Sequence, residues 1–187
     1  MSDAALKVLG ISGSLRKASF NSAALRTAQA LAPAGMTISA FDIGEFPLYN
    51  EDLREGGSFP APVQAFRDAI KAADALLVVT PEYNYSIPGV LKNAIDWASR
   101  PPEQPFDGKP VAIMGASAGA LGTARAQYHL RQVFVFLNAH LLNKPEVMIG
   151  AAGSRFDAEG NLTDEATRNF VKTQLEALRD WTLRLRR

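Results

Sequence analysis

The sequence predicts an open parallel β-sheet covered by helices on both faces, an α/β architecture, and three observations carry that prediction. Strand-like and helix-like segments alternate five times along the 187 residues. Two central segments, "ALLVV" at 75–79 and "VAIMGA" at 111–116, are continuously apolar, as strands are when both of their faces are covered. Neither an internal repeat nor a shift in composition marks a linker, so one domain over residues 1–187 is expected. A chain of this length buries roughly 70% of its unfolded surface.

Each element has its own local cause. Residues 6–11, "LKVLGI", form a short apolar strand, and residues 22–32 are Ala-rich and helical up to the stop at Pro33 and Gly35. Residues 36–43, "MTISAFDI", alternate apolar and polar side chains at the strand period, and residues 44–57 hold the Pro, Gly, Asn and Asp of a loop. Val63, Phe66, Ile70 and Ala73 recur at helical spacing before the strand at 75–79. A Pro- and Tyr-rich loop leads to a helix over 89–99, then a second Pro-rich loop and the strand at 111–116. A helix over 125–138, a last strand within 141–149 and a helix over 164–185 complete the chain. On that last helix Phe170, Val171, Leu175, Leu178, Trp181 and Leu185 are expected along one side, with arginines at the negative end of the helix dipole.

The bulk numbers exclude several functions. Lys and Arg total 20 against 19 Asp and Glu, a balance that provides no electrostatic reason to expect nucleic acid or anionic lipid as partner. Any bound anion must therefore be held by local geometry. With no cysteine there is no disulfide, thiolate nucleophile or cysteine metal site, and redox chemistry would need a cofactor. Two histidines, His129 and His140, are too few for a histidine-rich metal site. Met1, Ser2 and Asp3 lack a signal peptide's basic start and apolar stretch, and no apolar run has the length of a membrane helix. The cytoplasm is the expected location.

In a parallel sheet of this kind ligands sit beyond the carboxyl ends of the strands, where strand order reverses. The three unusual loops follow strands one, three and four, which are neighbours in a 2-1-3-4-5 order, so all three should meet at one crevice. The first lies within "GISGSLRKASFNS", residues 10–22. Gly10 and Gly13 allow a close turn, Ser14, Ser19 and Asn21 are short donors, and Arg16 brings a forked positive charge. A plain helix cap needs only one of Ser19, Asn21 or Ser22; the surplus points to an anion at the helix N-terminus. Neither G-x-x-x-x-G-K-[ST] nor G-x-G-x-x-G occurs, which disfavours a triphosphatase and a dinucleotide-fold loop.

The second loop opens "TPEYNYSIPGVLKNAIDW", residues 80–97. Pro81 and Pro88 stiffen its ends around Glu82, Tyr83, Asn84 and Tyr85. Such a loop suits the edge of a planar heteroaromatic ring; tyrosines packed down on the sheet are the competing reading. The third, "GASAG" at 115–119, also matches the G-x-S-x-G nucleophile elbow. No Asp or Glu lies between Ser117 and His140, so neither histidine follows a candidate acid and a hydrolase is set aside. Arg125 and Tyr128 could grip a nicotinamide cofactor or acceptor, or serve as a salt bridge and a half-buried phenol. His129 reads as a surface or interface residue.

"GSLRKASFN" and "PEYNYSIPGVLKNAIDWASRP" resemble the NADPH-dependent FMN reductase family of flavodoxin-like proteins, and its chromate and quinone reductase branch most of all. "QYHLRQVFVFLNA" and "NKPE" extend the likeness over essentially the whole chain. The resemblance implies a flavodoxin-like three-layer sandwich with a five-stranded parallel sheet. It implies that Ser14, Arg16, Ser19 and Asn21, with Phe20 among them, hold the FMN phosphate. Pro81, Glu82, Tyr83, Asn84 and Tyr85 would border the isoalloxazine and ribityl chain, and Ser117, Ala118 and Gly119 would line a third side. The implied activity is FMN-dependent oxidation of NADPH or NADH, with hydride transfer through flavin N5. Quinones, other flavins, azo compounds or oxidised metals such as chromate would be the acceptors, and no side chain would act as acid or base. A flavodoxin-like electron carrier is the alternative, although such carriers are acidic and this chain is nearly neutral. The helix around "RQVFVFLNA" is apolar on nearly every side, which together with the resemblance implies a homodimer or homotetramer.

Overall fold

The computed structural model describes residues 5–186; Met1, Ser2 and Asp3, read above for a leader, lie outside the described residues. β1 (Leu6–Ser12), β2 (Met36–Phe41), β3 (Ala75–Val79) and β4 (Pro110–Ala116) form a parallel sheet. Two short strands, β5 (His140–Leu141) and β6 (Val147–Ile149), both pair with β4. The order is β2-β1-β3-β4-β5, with β6 beside β4, so the 2-1-3-4-5 arrangement holds. The single last strand expected within 141–149 is corrected to two pieces. β5 lies against Pro110 and Val111, and β6 against Met114, Gly115 and Ala116. Pro145 falls between them and has no N–H to give a ladder.

Alternate residues of the central strands feed two cores. Val8, Leu77, Val79 and Met114 face α1 (Phe20–Ala30) and α5 (Glu165–Leu185), meeting Ala24, Leu25, Val171, Leu175 and Leu178. Leu9, Ile11, Leu76, Val78 and Ile113 face the other way. They pack against α2 (Ala61–Ala72), α3 (Gly89–Ala98) and α4 (Ala124–Phe136) through Phe66, Ile70, Leu91, Ile95, Leu130 and Phe134. Every residue of β3 and β4 is buried, as their unbroken apolar runs require. Among the described residues no helix is long and apolar enough to cross a membrane.

The helix ends follow from caps. α1 begins two residues before the expected 22, because the Ser19 hydroxyl accepts the N–H groups of Asn21 (3.1 Å) and Ser22 (3.3 Å). The Asp164 carboxylate accepts the Thr167 N–H at 2.8 Å and starts α5. Along α5 the buried stripe is Thr167, Val171, Gln174, Leu175, Leu178 and Thr182, while Phe170, expected on that side, is 60% exposed. Phe170 stands one residue, about 100° of helix, off the stripe. Leu185 is also exposed, and Trp181 reaches the His140 carbonyl with its indole N–H at 3.1 Å.

Two outcomes are expected. A Cβ on Gly115 would collide with the Thr80 carbonyl oxygen and the Thr123 hydroxyl. Gly115→Ala should therefore lose about 1–3 kcal/mol in urea denaturation, as overpacked cores do. The Thr167 hydroxyl and N–H hold the Asp164 carboxyl below the usual carboxylate range. The stabilisation from this cap is present above the unfolded-state pKa and is lost as pH falls through the lower folded value. An Asp164→Asn variant should show a flatter melting-temperature profile on the acid side.

Candidate functional site

The carboxyl ends of β1, β3 and β4 stand side by side, and the segments that leave them, residues 13–19, 80–88 and 117–123, wall one crevice of about 360 Å³. Ser14, Arg16, Ser19, Phe20 and Asn21 line it from the first segment and α1. Pro81, Glu82 and Tyr83 line it from the second, and Ala116, Ser117 and Ala118 from the end of β4. Asn84, Tyr85 and Gly119, also expected at the site, are exposed and lie outside this lining.

The first segment is built to leave donors free. The Gly13 N–H bonds to the Val79 carbonyl at 2.8 Å, and a Cβ there would stand 3.2 Å from Leu91, Pro81 and Pro88. Glycine thus lets the chain lie tightly against the second loop. Among the described residues, the N–H groups of Leu15, Arg16, Lys17, Ala18 and Phe20 donate to no group of the chain. Ser14 is buried, yet its hydroxyl makes no hydrogen bond. The Arg16 side chain curls over the segment, donating to the Ala18 carbonyl at 2.6 Å with its guanidinium 5.6 Å from the centre of the Phe20 ring. Unpaired N–H groups at a helix start, with a hydroxyl and a guanidinium, match the donor set a phosphate needs.

Asn21 has a role that its place in the sequence did not show. Its amide is 3% exposed and grips both polar atoms of one residue: Oδ1 accepts the Ala116 N–H at 2.8 Å and Nδ2 donates to the Ala116 carbonyl at 3.0 Å. The start of α1 is thereby tied to the end of β4, across β3.

The second segment is a tight hairpin. Tyr83 and Ser86 exchange both backbone hydrogen bonds at 3.0 Å, and Asn84 and Tyr85 between them have φ of 49° and 67°, as in a type I′ turn. Asn adopts positive φ readily; Tyr does so at a cost. The Tyr85 ring is covered by the Arg125 guanidinium, 3.7 Å from its centre. Arg125 in turn pairs with Glu82. The Glu82 side chain, 5% exposed, also accepts the N–H groups of Arg125 (3.0 Å) and Ala126 (3.1 Å). Thr123, at the N-cap position of α4, makes no capping bond, so Glu82 caps the helix from another part of the chain. Glu82 hydrogen-bonds Arg125 strongly enough to hold its guanidinium above the usual arginine range. Of the two uses weighed for Arg125, the salt bridge is the one observed. His129 Nδ1 meets the Ser86 hydroxyl at 3.0 Å, and the exposed Tyr128 phenol lies 3.4 Å from Glu146, which raises its pKa.

The third segment is held by backbone. The Ser117 N–H donates to the Ile149 carbonyl and its carbonyl accepts from Ala152, both at 3.0 Å. The Ser117 hydroxyl accepts the Gly119 N–H at 3.2 Å, which leaves the Ala118 N–H open at the crevice.

Comparisons with known proteins identify the family. Residues 6–154 match the family described as NADPH-dependent FMN reductase. An NAD(P)H-dependent FMN reductase of Pseudomonas aeruginosa is 65% identical over 181 residues, 97% of each chain. A quinone reductase of Escherichia coli is 47% identical over 183 residues, again 97% of each. Among solved structures, the flavoenzyme NAD(P)H:(acceptor) oxidoreductase of Paracoccus denitrificans superposes with a TM-score of 0.87 at 37% identity, over 96% of this chain and 98% of that one. The chain belongs to the NADPH-dependent FMN reductase family and is an oxidoreductase.

Removing the Glu82 carboxylate should unfasten the hairpin from α4. Glu82→Ala is expected to lose about 1–3 kcal/mol, the cost of leaving buried donors unmet. Hydrogen exchange at the Arg125 and Ala126 amides should quicken before that of the β3 amides. Unchanged exchange at those two amides would refute the cap.

Proposed function

We propose that the crevice binds FMN and that the chain, as one flavin-binding domain over residues 1–187, oxidises NADPH or NADH to reduce quinones and free flavins. One observation carries this: a row of unpaired backbone donors at 15–18 and 20 beside Ser14, Ser19 and Arg16 opens into the same crevice as Tyr83 and Ala118. The names of the two curated relatives, an FMN reductase and a quinone reductase, support the same activity.

Ser14, Arg16, Ser19 and the adjacent N–H groups would hold the phosphate, with Phe20 beside them. Pro81, Glu82 and Tyr83 would border the ring system through backbone and edge contacts, and Ser117, Ala118 and Gly119 would close the third side. Asn84 and Tyr85 would shape the hairpin that carries Tyr83. Asn21 would act on the phosphate only through the clamp that sets the start of α1. The chemistry a bound FMN supplies is hydride acceptance from NAD(P)H at N5 and delivery of electrons to a quinone, a flavin, an azo compound or an oxidised metal such as chromate. Side chains here bind and orient; none is assigned as acid or base. Use of a reduced nicotinamide donor supports the cytoplasm as the working compartment.

The same helix that Glu82 caps carries surplus apolar surface. Val135 is 73% and Phe136 89% exposed on α4. This supports a homodimer or homotetramer with that helix at the interface. Phe136→Glu should lower the mass measured by light scattering at micromolar concentration; a wild-type monomer there would refute the assembly.

The central test is flavin binding. The purified protein should be yellow, bleach with NADPH under argon and regain colour on adding a quinone. Arg16→Ala should weaken FMN binding about 10- to 100-fold, the loss of one charge-assisted contact. Equal FMN affinity in wild type and variant would remove Arg16 from the cradle, and a protein that stays yellow under NADPH would be a carrier.

A further inference from the structure

A second cavity, of about 620 Å³, lies on the far side of the first loop from the crevice and is the larger of the two. It sits between α1 and the carboxyl end of β2, and Arg16 lines both spaces. Resting on the flavin reading of the crevice, we propose that this cavity holds the adenosine 5′-phosphate half of a dinucleotide whose other half reaches the crevice.

Three features of the cavity match that unit. Leu15, 50% exposed, provides an apolar surface for a purine, with Leu25 buried behind it. Arg16, Lys17 and Arg26 stand on its lining, and none of them pairs with a carboxylate among the described residues. They supply positive charge beside the wall shared with the crevice, which is where the bridging phosphates of a two-site ligand would pass. Third, Asp42 follows β2 directly. Its Oδ1 accepts the Gly44 N–H at 2.9 Å, and no other hydrogen bond or ion pair engages the carboxylate among the described residues. β1, α1 and β2 form a parallel βαβ unit, which sets Asp42 at the carboxyl end of β2 beside the cavity, where its open lone pairs can accept ribose hydroxyls. A carboxylate held in orientation by Gly44 is an acceptor that suits a ribose diol.

Two dinucleotides carry this half, the reduced nicotinamide donor and flavin adenine dinucleotide. The probe is 5′-AMP, titrated calorimetrically into ligand-free and FMN-saturated protein. Saturable binding to both is expected, with a dissociation constant on the order of 1 mM or tighter. Arg26→Ala should weaken AMP binding about tenfold, the loss of one charge-assisted contact. Asp42→Ala should abolish the preference for AMP over 2′-deoxy-AMP. FMN affinity, read by quenching of flavin fluorescence, should stay unchanged in both variants, and their melting curves report that they fold. No saturation, displacement of FMN by AMP, or full AMP affinity in both variants would overturn the proposal. Because AMP is titrated into ligand-free protein as well, a failure of flavin binding is read separately from a failure of the cavity. The source is distinguished in the Arg26→Ala protein: a lowered ratio of FAD to FMN affinity assigns the flavin, and a raised Michaelis constant for NADH at unchanged FMN affinity assigns the donor. Neither change would overturn the assignment to a dinucleotide.

Discussion

Past the end of a parallel sheet no ladder exists to hold the chain, and this site depends on two side chains that replace it. Asn21 joins the start of α1 to Ala116, and Glu82 joins the hairpin after β3 to the start of α4. Both work in the same way, by meeting backbone polar groups that burial would otherwise leave unpaired. An orphaned donor or acceptor in such a place costs more than an ordinary hydrogen bond returns. The crevice therefore has its width set by bonds that break only at the expense of the fold.

What is unpaired is as informative as what is paired. With the other ends of the crevice tied down, the N–H groups of Leu15 to Ala18 have no partner among the described residues, and the Ser14 hydroxyl joins them. A near-neutral chain has no long-range field to draw in an anion. It must present a short, dense set of donors at one helix start, and that is where the open donors are concentrated. Arg16 adds a full positive charge on the crevice wall beside them, held over Phe20 and the Ala18 carbonyl.

Much of this could be seen in the sequence because it is local. Continuous apolar runs mark β3 and β4, and glycines beside short donors mark the loop after β1. The split of the last strand depended on one proline within a segment too short to show a period. Phe170 was misplaced because apolar character does not register a 100° offset when Thr167, Gln174 and Thr182 fill the buried stripe. The second roles of Asn21 and Glu82 were hidden for a different reason. Their partners lie 95 residues away at Ala116 and 43 and 44 residues away at Arg125 and Ala126, and no window on the chain spans those separations. A faint signal existed: α4 starts with no acidic residue in its first turn, so its dipole had to be met from elsewhere.

The strained turn at Asn84 and Tyr85 closes the argument about rigidity. A tyrosine at φ 67° would relax in a free loop. Here the ends of the hairpin, Tyr83 and Ser86, are pinned by paired backbone bonds, and the Tyr85 ring is overlain by the guanidinium that Glu82 secures. One carboxylate thus caps a helix, holds an arginine and, through that arginine, keeps Tyr85 in place. Tyr83, which lines the crevice, has its position defined by that same turn. A planar ring bordered by such a loop meets a preformed edge, so binding spends little on ordering the protein. The rigidity of the crevice is thereby a consequence of where the Glu82 carboxylate lies: against the amide ends of α4, leaving backbone and tyrosine to face the open space.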